Sequence, residues 1–288
     1  MFPLDSIILK IFYSVYMINN LRFELSFKNI LQLENQLNFC ISNNINKINI
    51  PCKGLIKKEF LNEALIYICE NYKNFDVIFH YSLYHQYTRN KEKSYLEFLT
   101  FIKKYKYYNN NEILLVSGSN KKKNFEVLDV LRDFKKEKHL NINIGTSYNP
   151  YLKNYYNNAE ERVRLEKKLS SKLTKSIWLQ FGTDINLLEK EIDFLKDTII
   201  NNSSNRNDES INIFGSLLIP SLQFISRFKY RPWKGVFISD KYLNSLEKFR
   251  AFTKDLIEIY LENNIIPVIE TECYSIKQIE EIHSLLKT

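Results

Sequence analysis

Three polar side chains hold most of the chemistry legible in this 288-residue chain. Glu24 stands in Leu21-Arg22-Phe23-Glu24-Leu25-Ser26-Phe27, where apolar and polar residues alternate as in a strand. Leu21, Phe23, Leu25 and Phe27 share one face; Arg22, Glu24 and Ser26 share the other. A carboxylate enclosed on such a face must be paired, hydrogen-bonded or protonated, and a positioned carboxyl can act as a general acid. From the strand alone, an edge position with Glu24 in water is an equal reading. His80 ends Asp76-Val77-Ile78-Phe79-His80-Tyr81 and shares a face with Ile78 and Ser82. A lone histidine is more often structural than catalytic. Gln180 shares a face with Ser176 and Trp178, opposite Ile177, Leu179 and Phe181. Its amide offers two donors and an acceptor, which suits a heterocycle with adjacent amide edges; bonding to neighbouring backbone is an equal reading. Glu270 and Glu272 share a face and either complement a cation or are solvated at a rim, the simpler reading.

The elements that must position these residues alternate along the chain. Strands are expected at 21–27, 47–51, 76–81, 112–118, 140–146, 175–181, 211–219 and 265–270. Helices are expected at 28–43, 57–72, 94–107, 124–138 and 158–173, then after an Asp184 N-cap through Leu195, and at 222–228, 242–262 and 275–286. Eight strands, each followed by a helix, read as an α/β fold, a (β/α)8 TIM barrel. A doubly wound sheet is disfavoured because no Gly-rich turn follows the first strand. A barrel has no edge strand, so Glu24 turns inward. Active sites of this fold lie at the C-terminal strand ends, where Glu24, His80, Ser117 to Ser119, Thr146 to Tyr148, Gln180 and Glu270 to Glu272 fall. The expected organisation is a tail or helix over 1–20 and one barrel domain over 21–288. No regulatory extension is expected after the last helix.

Composition excludes several classes. The charge of +8 comes with Lys and Asn spread through the whole sequence, so it argues little for nucleic acid. Lys121-Lys122-Lys123 reads as a solvated surface. No run of about 18 apolar residues reads as a membrane span. The cysteines, Cys40, Cys52, Cys69 and Cys273, have no metal-site spacing and read as free thiols. No phosphate loop, serine elbow or zinc motif is present. A cytoplasmic protein is expected, with a mitochondrial one as the alternative given the apolar segment Ser6 to Tyr13. Self-association into a homo-oligomer stays open.

Sequence detail adds a resemblance. Phe23-Glu24-Leu25 resembles the start of methylenetetrahydrofolate reductases, where a Phe-Glu-Phe strand supplies the catalytic Glu. His80-Tyr81-Ser82 is similar to the family's His-Leu-Thr. Leu115-Val116-Ser117-Gly118-Ser119 takes the place of its Arg-Gly-Asp stretch, and Tyr148 falls on the Tyr of its Tyr-Pro-Glu. The helix with Leu165, Lys167 and Lys168 resembles its Leu-Lys-x-Lys helix. Gln180-Phe181 with Asp184 resembles its Thr-Gln-Phe-x-x-Asp, and Leu217 to Pro220 its Gly-Ile-x-Pro. The segment Ile266 to Thr271 resembles the family's C-terminal strand. The resemblance runs in order over about residues 20 to 286 and rests on order and spacing, since each motif is short.

The resemblance implies reduction of 5,10-methylenetetrahydrofolate to 5-methyltetrahydrofolate with FAD and NAD(P)H, in one-carbon metabolism and methionine biosynthesis. Glu24 is then the general acid and Gln180 binds the pterin of the folate substrate. His80, Gly118, Ser119, Tyr148 and Lys168 lie along the flavin. Ser117 and Ser119 replace the family's Arg and Asp, and Tyr148-Asn149-Pro150 replaces Tyr-Pro-Glu. These departures suit either a diverged reductase that uses nicotinamide without tightly bound flavin, or a barrel that has lost the reaction and serves as a binding or assembly protein.

Overall fold

Strand β1 is short, Arg22–Glu24, and its neighbours decide its surroundings. It pairs in parallel with β2 (Lys47–Ile50) on one side and β8 (Ile265–Ile269) on the other. Between them run β3 (Asp76–Ser82), β4 (Glu112–Val116), β5 (Asn143–Tyr148), β6 (Thr174–Leu179) and β7 (Asn212–Leu217). The sheet closes in the order β1 to β8. The chain is a (β/α)8 TIM barrel. The computed structural model describes residues 21–52, 58–88, 90–118, 125–152, 158–203, 210–271 and 275–286. The tail or helix expected over 1–20, Ser119, the lysine run 121–123, Glu272 and Cys273 lie outside these residues.

The helices are α1 (Ile30–Ser42), α2 (Lys58–Asn71), α3 (Lys91–Tyr107), α4 (Val127–Phe134), α5 (Asn158–Ser170), α6 (Ile185–Ser203), α7 (Leu222–Tyr230), α8 (Asp240–Leu243), α9 (Leu246–Glu262) and α10 (Ile276–Leu286). Side-chain caps explain several starts. Asn29 accepts from the Gln32 amide, and Asp184 accepts from Leu187 at 3.0 Å, as its position in sequence suggests. The helix expected over 242–262 is broken because Ser245 caps α9 by accepting from the Lys248 amide. The strand expected from Leu140 starts later, because Lys138–Leu140 forms a 3-10 turn and Asn141 takes φ 29°. Among the described residues no helix is long and apolar enough to cross a membrane.

Alternation along the strands separates two layers of packing. Phe23, Ile48, Phe79, Ile113, Ile144, Ile177 and Ile265 face outward and are buried against the helices. Inside the barrel, Ile78, Leu114, Trp178, Phe214 and Val268 form a separate apolar cluster. The Trp178 and Phe214 rings stack with centroids 4.2 Å apart and planes 22° apart. Gly145 makes room for this stack, since a Cβ there would stand 2.6 Å from Trp178 Nε1. The cluster is a floor: Trp178, Leu114 and Val268 line the space above it, and Phe214 and Ile78 the space below.

The lower space, about 380 Å³, is polar. Arg22 is only 3% exposed. Its guanidinium donates to Asn49 Oδ1 (2.8 Å), Asp76 Oδ2 (2.9 Å) and the carbonyls of Ile48 and Asp76. Trp178 Nε1 donates to Ser176 Oγ at 2.9 Å, and the Ser176 hydroxyl donates to Glu112. Burial is the main reason that the Glu112 carboxyl is pushed above its ordinary range, against the opposing pull of Ser176 and Arg22. This is the N-terminal face of the barrel, where polar networks serve stability.

Candidate functional site

The space above the floor is a cavity of about 1310 Å³ at the C-terminal strand ends. That is above the roughly 300–1,000 Å³ usual for one small ligand. Because β1 has neighbours on both sides, the Arg22 and Glu24 face turns inward, as closure of the barrel requires. The Glu24 side chain is 8% exposed and that of His80 13%. Glu24 Oε2 lies 3.7 Å from His80 Nδ1, close enough for a strong charge interaction whenever the imidazole is protonated. The His80 ring also meets the edge of Trp178, with centroids 5.8 Å apart.

The wall continues around the barrel. Gln180, half-buried, lines the cavity directly above Trp178. Glu270 is half-buried and lines it too, instead of standing in water at a rim. The register that pairs Phe23 with Ile269 brings Glu24 beside Glu270 on adjacent strands. Two carboxylates and a histidine therefore meet at one place, an arrangement able to give and take a proton. Cys52 also borders the cavity, but burial pushes its thiol up, so it stays an unreactive thiol. Cys40 and Cys69 are free thiols as well. No group of side chains among the described residues could hold a metal ion.

Of the residues that the resemblance assigns to a flavin, His80, Gly118, Tyr148 and Lys168 all border the cavity. Gly118 has φ +81°, and a Cβ there would stand 2.5 Å from Tyr84 Cβ, so this turn requires glycine. Tyr148 and Lys168 also make bonds within the protein. Tyr148 shares its strand face with Ile144, is 1% exposed, and donates its hydroxyl to Glu191 of α6. Burial and that hydrogen bond hold the phenol well above its ordinary pKa. Arg162 completes the cluster, its Nη2 2.8 Å from Glu191 Oε1 and its Nε 3.1 Å from Oε2. Lys168 Nζ donates to the Ser147 carbonyl at 2.6 Å. Arg164 faces Glu160 and Glu161 at 3.9 and 3.6 Å. The phenol and these cations thus already have protein partners while Tyr148, Arg164 and Lys168 border the cavity.

Several cavity residues escaped the sequence reading, His85 and Ser216 among them. Ser216 of β7 is 2% exposed and lines the cavity, and its hydroxyl has no hydrogen-bond partner. The signal was its phase: two residues after Phe214, it faces the lumen.

No protein-family model matches the chain, and no curated protein matches it. Solved structures do. A GH10 endoxylanase from a sugarcane soil metagenome superposes with a TM-score of 0.58 at 12% identity, covering 91% of this chain and 88% of that one. The active domain 2 of a Pyrococcus furiosus chitinase gives 0.51 at 10% identity, covering 87% and 83%. At such identities the likeness is one of fold alone.

Proposed function

We propose that the protein is a methylenetetrahydrofolate reductase-type oxidoreductase, reducing a folate-bound one-carbon unit with NAD(P)H. The observation that carries this reading is the enclosed Glu24 carboxyl, on the lumen face of β1 and 3.7 Å from His80 in a cavity of about 1310 Å³. The ordered resemblance from Phe23-Glu24-Leu25 to Gln180-Phe181 supplies the reaction class.

Nicotinamide, when bound, would supply the hydride. The chain's own residues do the rest. Glu24 protonates a nitrogen of the folate's five-membered ring, the carbon–nitrogen bond breaks, and an iminium carbon is exposed to reduction. His80 stands 3.7 Å from Glu24, and Glu270 lies on the neighbouring strand end. Gln180 holds the pterin edge. The Trp178–Phe214 floor closes the site from the lower polar space, which shields the iminium from water on that side. The scheme uses nicotinamide alone, without a flavin.

The test is NADH and NADPH oxidation by the purified protein with 5,10-methylenetetrahydrofolate. Oxidation that depends on the folate and yields 5-methyltetrahydrofolate supports the assignment. No turnover with either nicotinamide overturns it.

A further inference from the structure

The lower space is bordered by polar residues that open the strands. Lys47, Asp76, Glu112, Asn143 and Asn212 are the first residues of β2, β3, β4, β5 and β7, and all of them line it. The strand register sets them side by side: Lys47 beside Asp76, Glu112 beside Asn143, and Asn212 beside Ser176, the donor to Glu112. Three more amides, Asn109, Asn110 and Asn111, line the space from the turn before β4. Stability accounts for Arg22, whose bonds tie β1 to β2 and β3. It does not account for Asn143 and Asn212. Asparagine is disfavoured in strands, yet both open a strand and both are exposed. Ile78, Phe214 and Ile266 give the space its apolar inner end.

We infer that this lower space is a second binding site, for a neutral cyclic polyol the size of a monosaccharide. Its volume of about 380 Å³ lies at the small end of the roughly 300–1,000 Å³ of small-ligand sites. Charge selects against ions, because the cations Arg22 and Lys47 are offset by the carboxyls of Asp76 and Glu112. The wall selects hydroxyls. Each asparagine amide offers two donors and an acceptor, and a hydroxyl answers either. Asp76 accepts from Arg22 through one oxygen at 2.9 Å, and Glu112 accepts from Ser176 through one oxygen. Each carboxyl thus keeps a second oxygen for a ligand hydroxyl. A hydroxylated ring carries its hydroxyls at the rim and C–H groups on its faces. The rim meets the polar wall while a face meets Phe214 and Ile78. The Trp178–Phe214 floor separates this site from the cavity that holds Glu24 and His80, so the inference goes beyond the proposed function and does not rest on it.

The experiment is calorimetric titration of the parent protein, Asn143→Ala, Asn212→Ala and Asn212→Trp with glucose, myo-inositol and inorganic phosphate. Thermal unfolding of each variant without ligand checks the fold. Calorimetry is the readout because polyols raise melting temperatures by exclusion from protein surfaces, with no site at all. The expected result is saturable binding of glucose or myo-inositol by the parent, about 3- to 10-fold weaker in each alanine variant, where one hydrogen-bonding amide is lost. Asn212→Trp, which fills the space from its wall, should abolish the binding. All three substitutions fall at exposed positions, so the variants should melt close to the parent. If Asn212→Trp melts early, the two alanine variants decide. Saturable binding that is equal in parent and variants places the polyol elsewhere and overturns the inference. Binding of phosphate in preference to both polyols overturns the neutral-ligand assignment. A parent that binds neither polyol makes the space a water-filled vestibule only and overturns the inference outright.

Discussion

Tyr148→Phe separates a structural tyrosine from one that holds a ligand. The hydroxyl lies 43 residues away in sequence from its acceptor, Glu191, and joins β5 to α6. A hydrogen bond to a charged group contributes about 1.5–3 kcal/mol. Glu191 is 2% exposed but keeps both contacts from Arg162, whose side chain is 36% exposed and so only partly shielded from solvent. The loss therefore falls at the low end, about 1.5–2 kcal/mol. For a chain of this size that lowers the melting temperature by about 3–8 °C. The assay is thermal unfolding of parent and variant, with titration of folic acid and FAD on both. The expected variant melts earlier and binds as the parent does. A variant that melts with the parent but loses ligand affinity refutes the placement of Tyr148 in the helix layer.

Two further outcomes follow from the same structure. Glu112 holds its proton more tightly in the folded protein than in the unfolded chain, so the stability it contributes is present below its ordinary pKa and is lost as pH rises through the raised value. Glu112→Gln, permanently neutral, should match the parent near pH 4 and melt higher than the parent near pH 8; coincident curves across about pH 4–8 would refute the buried, protonation-sensitive placement. Turnover in the proposed scheme should need no added flavin; turnover that requires added FAD, with a bound band near 450 nm, roughly the position for oxidised flavins, would contradict that.

The barrel was legible in the sequence because strand and helix periods differ so clearly along it. Glu24, His80 and Gln180 were legible for a related reason: once closure makes one face of every strand the lumen, alternate residues declare their side. The same phase argument places Tyr148 with Ile144 on the side packed against the helices, where its hydroxyl reaches Glu191 while the residue still borders the cavity. The resemblance supplies a tyrosine at the right position, but the side of the strand decides what it touches. Two things lay beyond local pattern. The Glu191–Arg162–Tyr148 cluster joins residues far apart in the chain, and no spacing reveals such a partnership. Ser216 looks like an ordinary small residue in an apolar strand until its missing partner is counted. Helix ends were set by caps such as Ser245, whose effect depends on side-chain geometry.

The central claim is that Glu24 donates the proton that opens the folate ring. The direct measurement is steady-state turnover of Glu24→Gln with 5,10-methylenetetrahydrofolate and NAD(P)H, beside folic acid binding and thermal unfolding of the same variant. The account predicts turnover lower by about 10²-fold or more, with binding and melting close to the parent. Turnover equal to that of the parent in a folded variant would contradict it.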